Sequence, residues 1–503
     1  MKKNKCKKCG HVENLFELYD DFLCPSCGAS KEFFELYDDL LINDDIEAIV
    51  ESVVESSEDK EEKIINNNTE DKKVQINDFN PAIMRINEKC INCGQCKKTC
   101  ENIQNISYDL RLCKEPICVG CGQCILNCPT GALVPKYIYR DVKEIIDAND
   151  KIVVALTSPA VRVSMGENFN FEYGSNVQGK LVTALRKIGF DYVFDTAFGA
   201  DLTLLEEVSE LVDRITTKKT MPQFTSCCPA WVKYAEIYHP ELIDNLSSCK
   251  SPIGMECAVI KTYFAEQKGI DPSKIVTVAI TPCTAKKMEA REYVANIDYV
   301  LTANELSLLF KEEEIKLASL QDSNYDSLLS ESTGAGILFG NTGGVMEGAM
   351  RTLYKLMTGQ KPKSDFMELT PLRGLDGIKT ASIDINGKKV RVAVINGISN
   401  LEAILKDDYY KKFHFIEVMN CNGGCVGGGG QPLCPVPKLN EVRKKRLEGL
   451  YSIEKQKAKR SSFENEEIKK LYKEYLKKPL SQESINLLHT SYSDKSSLLN
   501  SKI

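Results

Sequence analysis

Glu417-Val-Met-Asn-Cys-Asn-Gly-Gly-Cys-Val-Gly-Gly-Gly-Gly-Gln-Pro432 joins two cysteines to four consecutive glycines. Two distant segments carry matching chemistry: Thr225-Ser-Cys-Cys-Pro-Ala-Trp231 and Thr281-Pro-Cys-Thr-Ala-Lys-Lys-Met-Glu289. Each is too short to hold a metal cluster alone. Together they offer Cys228, Cys283, Cys421 and Cys425 to one cluster, with Cys227 left beside it. The fold must therefore return the chain to one place from three distant positions. The glycine run, Gly427 to Gly430, lets the backbone wrap such a cluster without side-chain clash.

Around these segments, from Lys151 onward, apolar runs alternate with helical stretches. Ile152-Val-Val-Ala-Leu156, Tyr192-Val-Phe194, Ile275-Val-Thr-Val-Ala-Ile280 and Val390-Arg-Val-Ala-Val-Ile395 read as buried strands. Val177 to Lys187 and Leu202 to Val212 read as helices. The alternation predicts an α/β fold with mainly parallel sheets and flanking helices. The tail from about Asn440 reads as helical and charged, including Glu464 to Lys478, and Ser493 onward reads as frayed. Two stretches look superficially like phosphate loops, Gly174-Ser-Asn-Val-Gln-Gly-Lys-Leu181 and Gly340-Asn-Thr-Gly-Gly344. Leu181 stands where a hydroxyl would have to meet Mg²⁺, and no lysine follows Gly344, so nucleotide binding is not expected.

A chain of 503 residues exceeds one ordinary core and predicts two or more domains. Its 43% hydrophobic and 27% charged residues fit a globular protein, and the net charge of -6 gives no basic footprint for nucleic acid or an anionic membrane. Met1-Lys-Lys-Asn-Lys-Cys-Lys-Lys-Cys9 lacks the apolar core of a secretory signal, and no apolar run reaches bilayer-spanning length. The expected compartment is the cytoplasm, where cysteines stay reduced and serve as metal ligands rather than disulfides. Of 21 cysteines, four lie in the first 30 residues and nine between Cys90 and Cys128, mostly in Cys-x-x-Cys runs.

Cys6-Lys-Lys-Cys9 and Cys24-Pro-Ser-Cys27, each followed by glycine, suit one tetrahedral four-thiolate metal, iron or zinc. This module, residues 1–37, resembles the rubredoxin-like domains. Residues 38–80 are acidic and poor in aromatics and read as a flexible linker, either a plain spacer or a tether for the redox module. Residues 81–142 hold an internal repeat, Cys90-x2-Cys93-x2-Cys96-x3-Cys100 and Cys118-x2-Cys121-x2-Cys124-x3-Cys128. The spacing is that of a bacterial two-cluster ferredoxin, in which the fourth cysteine of each run crosses to the other cluster. One [4Fe-4S] cluster would then use Cys90, Cys93, Cys96 and Cys128, and the other Cys118, Cys121, Cys124 and Cys100. Cys113 is surplus and reads as a small buried hydrophobe.

The three signature segments, present in order, resemble the active-site domain of the iron-only hydrogenases from about Lys151 to the C-terminus. The resemblance implies a catalytic domain of two lobes, residues 143–503, closed by a C-terminal belt. It implies the H-cluster, a [4Fe-4S] cluster bridged to a two-iron unit with CO, CN and an azadithiolate. Cys228, Cys283, Cys421 and Cys425 would be its ligands, with Cys425 the bridge. Lys286 would donate to one cyanide, backbone groups near Ser158 and Pro159 to the other, and Met419 would touch the carbonyls. A thiol, with an ordinary pKa near ~8.5, exchanges protons at neutral pH, so Cys227 would pass protons to solvent through a water, Glu207, Ser247 and Glu210, with Arg214 holding Glu210. Glu207 and Glu210 are three apart on the expected helix and share its face. The activity implied is the interconversion of protons and electrons with H2. Ferredoxin would be the electron carrier, and maturation proteins would build the two-iron unit. A hydrogen sensor and an iron–sulfur assembly factor are the alternatives. Thr281, Ile253 and Ala230 depart from the family's common residues beside the two-iron unit. Cys249, Cys257 and Cys434 have no assigned role.

Overall fold

In the computed structural model the chain divides into two compact units, Met1–Glu70 and Asp71–Ile503. The structure describes residues 72–499, apart from 75, 77, 107–116 and 293–295, together with three backbone strands nearer the N-terminus. Those strands form an antiparallel sheet in which Lys2–Cys6 lies between Val12–Glu13 and Phe34–Asp38. Cys6 ends the central strand. Cys9, Cys24, Cys27, Cys113 and residues 39–71 lie outside the described residues.

Asp71–Ile503 is a mixed α/β unit built on two four-stranded sheets. In the first, the order is Tyr299–Thr302, Ile275–Thr281, Ile152–Thr157, Tyr192–Asp195, and every pairing is parallel. Its strands are almost wholly buried, as a parallel sheet covered on both faces requires. In the second, the order is Ile378–Ile385, Lys388–Asn396, Phe415–Met419, Gln223–Phe224. Its first two strands make an antiparallel hairpin, closed by Asn386 and Gly387 at φ 54° and 77°, and the remaining pairings are parallel. Helix Gln178–Ile188 lies one residue from the expected 177–187, while Ala197–Thr217 extends five residues beyond each end of the expected 202–212.

This topology builds the site. In parallel α/β sheets, loops at the carboxyl ends of the strands gather in one crevice. Here those ends deliver Ser158 after Ile152–Thr157, Thr196 after Tyr192–Asp195 and Cys283 after Ile275–Thr281. From the second sheet they deliver Cys227 and Cys228 after Gln223–Phe224 and Cys421 after Phe415–Met419.

The C-terminal segment runs over this core as helix Leu439–Gln456 and two shorter helices, Glu466–Leu471 and Gln482–Leu488. Arg446 anchors it, donating to both Glu167 carboxylate oxygens at 2.7 and 2.6 Å and to the Val426 carbonyl at 2.8 Å. The stretch expected to be helical, Glu464 to Lys478, is an α-helix over Glu466–Leu471 that passes into a π-turn at Tyr472–Leu476. Among the described residues, the stretch from Ser493 is held rather than frayed: Ser493 N–H donates to Glu236 Oε1 at 2.9 Å and Lys495 N–H to the Glu236 carbonyl at 2.8 Å. Residues 72–74, inside the expected linker, already pack on the first cysteine run, with Val74 N–H 3.2 Å from Cys96 Sγ. Among the described residues no helix is long and apolar enough to cross a membrane.

Candidate active site

The strand-end loops surround one cavity. Cys227, Cys228, Cys283, Cys421 and Cys425 all line it, as do Lys286, Met419, Ser158 and Pro159. Burial, and next the neighbouring Cys228 sulfur, push the Cys283 thiol up to about 12. Cys421 is raised by burial and then by Cys283, Cys121, Cys228 and Cys425. The thiols crowd one another, and such a set becomes anionic only around a cation that binds thiolate sulfur. Asn420 N–H approaches Cys228 Sγ at 3.5 Å, while both polar atoms of the buried Asn420 side chain lack a protein partner. Four converging sulfurs and unpaired polar groups on the cavity wall fit the H-cluster.

The glycines act mainly by close approach to other backbone. A Cβ on Gly428 would lie 2.3 Å from the Pro282 carbonyl oxygen, and one on Gly429 2.4 Å from Gly122 Cα. The glycine run thus clasps the Cys283 loop and the second ferredoxin-type cysteine run, besides leaving room for the cavity. Positive φ is needed earlier in the segment, at Gly423 and Gly424.

Lys286 is buried, 2.5 Å from Glu289 and 3.3 Å from the Cys227 carbonyl. Burial disfavours its ammonium, but Glu289, together with Cys283 and Cys227, outweighs this and raises the pKa, so the cation persists at the cavity wall. The Ser158 N–H is taken by the Ile280 carbonyl at 2.9 Å, and Pro159 has none. A donor from this turn therefore comes from the Ser158 hydroxyl or the Ala160 amide.

Cys227 departs from the simple expectation of a thiol near its ordinary pKa. Burial and then Glu207 push it well up, so it rests as a neutral thiol. Glu207 and Glu210 sit on the Ala197–Thr217 helix, both buried. Burial, and then Glu210, raise the Glu207 carboxyl to about 8. Neither Glu207 oxygen has a hydrogen-bond partner, although the Ser226 amide and Ser247 hydroxyl are near enough to pull its pKa down. The Ser247 hydroxyl donates to Glu210 Oε2 at 2.8 Å. Arg214 donates to Glu210 Oε1 at 2.7 and 3.1 Å. Beyond them a surface hollow is lined by Glu210, Asp213, Arg214, Lys219, Thr220 and Asp244. Cys227 lines the cavity, and Glu210, bonded to Ser247 and Arg214, lines the surface hollow.

The two cysteine runs interleave. One small hollow is lined by Cys90, Cys93, Cys96 and Cys128. Cys100 is instead raised by burial and then by Cys118 and Cys121, ahead of Cys96 in its own run. Cys124 has Cys100 as its first sulfur neighbour. The second set abuts the main cavity: Thr284 Oγ1 donates to the Gly120 carbonyl at 2.6 Å and Gln123 Nε2 to the Gly427 carbonyl at 2.9 Å. Cys93 in the first set is exposed.

Thr281 and Ile253 line the cavity, whereas Ala230 does not; it is buried in helix Pro229–Tyr238. Sequence reasoning missed Thr196, Ala200, Phe339 and Gly340, which complete the wall. It also missed Glu417, a buried carboxyl that accepts from Gly343 and Met346 N–H, each at 2.7 Å, at the start of helix Gly344–Thr358. The glycines at 340 and 343–344 were the available signal, since they mark a loop under close approach.

The chain matches the family "iron only hydrogenase large subunit, C-terminal domain" over residues 151–429 and "iron hydrogenase small subunit" over residues 440–495. It is 40% identical to the NADP-reducing hydrogenase subunit HndD of Solidesulfovibrio fructosivorans, across 82% of this chain and 75% of that one. It is 40% identical to iron hydrogenase 1 of Clostridium pasteurianum, across 84% of this chain and 78% of that one. A solved variant of the [FeFe]-hydrogenase HydA1 from Chlamydomonas reinhardtii aligns with a TM-score of 0.62 at 36% identity, covering 71% of this chain and 99% of that one. Similarity to a cytosolic Fe-S cluster assembly factor of Danio rerio is lower, 30% across 71% of this chain and 89% of that one.

Proposed function

Because the chain belongs to the iron-only hydrogenase family and is an oxidoreductase acting on H2, we propose that its cavity holds the H-cluster on Cys228, Cys283, Cys421 and Cys425. One observation carries this assignment: the four thiols, Cys227 and Lys286 converge on the wall of a single cavity. When bound, the group would supply the redox chemistry that interconverts two protons and two electrons with H2, with Cys425 among the residues that would hold it.

The chain's own residues supply binding, shelter and proton movement. The Lys286 ammonium, fixed by Glu289, presents N–H donors to an anionic ligand. Pro159, Ile253, Phe339 and Met419 make the wall apolar and exclude bulk water. Cys227 holds a proton on Sγ at the cavity wall. Glu207, raised to about 8, holds one at neutral pH, and its two unpartnered oxygens suit a bridging water toward Cys227. The Ser247 hydroxyl links onward to Glu210, which Arg214 keeps in place beside the surface hollow.

Electrons would travel along two [4Fe-4S] clusters in a ferredoxin-like domain, residues 81–142. The Cys90, Cys93, Cys96 and Cys128 set lies toward the surface, and the Cys118, Cys121, Cys124 and Cys100 set lies against the cavity. Ferredoxin is the proposed carrier. A rubredoxin-like domain with one iron or zinc on Cys6, Cys9, Cys24 and Cys27 would precede them, and maturation proteins would deliver the two-iron unit. The cysteine usage suits a reducing cytoplasm.

An assembly role or a hydrogen sensor is less well supported. The assembly factor is the more distant relative, and Cys227, Lys286 and the paired Cys421 and Cys425 complete the catalytic pocket. Infrared spectroscopy of anaerobically maturated protein tests the assignment. Carbonyl and cyanide bands that vanish in Cys425→Ala are expected. Their absence from fully maturated wild-type protein would remove it.

A further inference from the structure

Cys249 and His489 take no part in the route described above, yet both converge on its outer carboxylate. A Glu210 oxygen, Cys249 Sγ and a ring nitrogen of His489 all lie within 4.8 Å of one another. Cys249 Sγ is 3.9 Å from Glu210 Oε2. Glu210 and Cys249 are buried, His489 is partly buried, and the three come from distant parts of the chain. An antiparallel bridge between Cys249 and His489 fixes the C-terminal segment against the 246–250 stretch. Thiolate, imidazole and carboxylate together are the donor set of a zinc-type ion.

A second, independent feature prepares the imidazole. His489 Nε2 lies 3.2 Å from Glu206 Oε2. Glu206 also accepts from the Tyr472 hydroxyl at 2.6 Å, from the Leu480 amide at 3.0 Å and from the Ser484 hydroxyl. Burial opposes its charge, but His489, Ser484 and Tyr472 outweigh it and hold the pKa down. An ionised Glu206 keeps the ring proton on Nε2, which leaves the lone pair on Nδ1, now 2.8 Å from Ser248 Oγ. A carboxylate behind a histidine is the support that metal-ligating imidazoles generally have.

We propose that Glu210, Cys249 and His489 form a binding site for a thiophilic divalent cation of the zinc and cadmium class, and that its occupation closes the proton exit. On binding, Cys249 releases its proton to solvent and forms the sulfur–metal bond. Glu210 Oε2 turns from the Ser247 hydroxyl and the Ser248 amide, now at 2.8 and 3.0 Å, to the ion. Arg214 stays on Oε1. Donor atoms around a tetrahedral zinc sit roughly 3.3–3.8 Å apart, so the 3.9 Å Cys249–Glu210 spacing needs little contraction. Ions reach the site through the hollow that Asp213 and Asp244 share with Glu210.

The binding half stands on these contacts alone, while the closing half rests on the proton route proposed above. The test uses cluster-loaded wild-type enzyme beside Cys249→Ala and His489→Gln. Equilibrium dialysis with zinc, and the ultraviolet thiolate-to-cadmium band, read binding without reference to activity. H2 evolution under zinc, normalised to each protein's own zinc-free rate, reads closure. We expect one more ion per wild-type chain than per variant chain. We also expect chelator-reversible inhibition that needs at least about tenfold more zinc in either variant. Equal binding by all three proteins overturns the site. Binding lost in the variants, with zinc leaving wild-type turnover untouched, keeps the site but overturns both the closure and the route through Glu210.

Discussion

Glu207→Gln isolates the step on which the proton route depends. The buried carboxyl has a pKa of about 8 against an ordinary 4.5. At pH 7 roughly nine-tenths of it carries a proton, ready to be passed inward or received. An amide of the same shape cannot release that proton, and a positioned acid or base commonly contributes ~10²–10⁴-fold. H2 evolution by the variant should therefore fall at least about a hundredfold while the infrared bands stay unchanged. In the wild type, evolution needs the protonated carboxyl, so its rate should decline as pH rises through about 8. Stability gives a second check. A carboxyl whose pKa is raised on folding contributes stability that is fully present below its unfolded pKa and is lost as pH rises to the folded one. The window here runs from 4.5 to about 8. At about 1.4 kcal/mol per unit, the cost to the wild type is about 1 kcal/mol at pH 5 and about 3 kcal/mol at pH 7. Replacement by glutamine removes it. The melting gap in favour of the variant should widen by roughly 3 °C between those pH values. Anaerobic calorimetry and viologen-driven evolution measure the two effects. Wild-type turnover in Glu207→Gln, or a melting gap that is flat or narrows with rising pH, refutes the reasoning.

Gly429→Ala should cost at least about 1–3 kcal/mol by overpacking, since its Cβ would meet Gly122 Cα at 2.4 Å. Iron content and melting temperature should both drop, and unchanged values of both contradict the clasp. Arg214→Ala leaves the buried Glu210 without its cation and frees the Leu246 and Asp244 carbonyls it now binds. A loss of about 3 kcal/mol is expected, together with slower turnover, and a neutral effect on both counts against it. Cys128→Ala and Cys100→Ala should perturb different clusters in electron paramagnetic resonance, the first the set with Cys90 and the second the set with Cys118. Changes confined to one and the same cluster rule out the crossed ligation.

The cysteine segments of the candidate site were readable from their short spacings, and the strand-end loops bring Cys228, Cys283, Cys421 and Cys425 to one cavity wall. Three of the four strands of the first sheet were readable because they are mostly apolar runs, as burial on both faces demands, whereas Tyr299–Thr302 was not read as a strand. Phe415–Met419 escaped notice as a strand because Glu417 breaks its apolar run. In the fold that carboxyl is buried and held by amides at a helix N-terminus, an arrangement created only by tertiary contact. The 340–344 glycines were weighed as a phosphate loop; the same need for close backbone approach instead serves the cavity wall. Phe339, Thr196 and Ala200 carry no spacing signal, since they reach the cavity from unrelated strand and helix ends. Ser493 onward looked polar and loose, yet Glu236 and Lys495 hold it down across a long separation in sequence.

The most direct measurement is H2 evolution with reduced methyl viologen by anaerobically maturated wild-type protein and Cys227→Ala side by side, with infrared spectra of both. The account predicts fast evolution by the wild type and near-complete loss in the variant, with carbonyl and cyanide bands in each. Equal evolution by the two proteins, or none by a wild type that shows the bands, contradicts it.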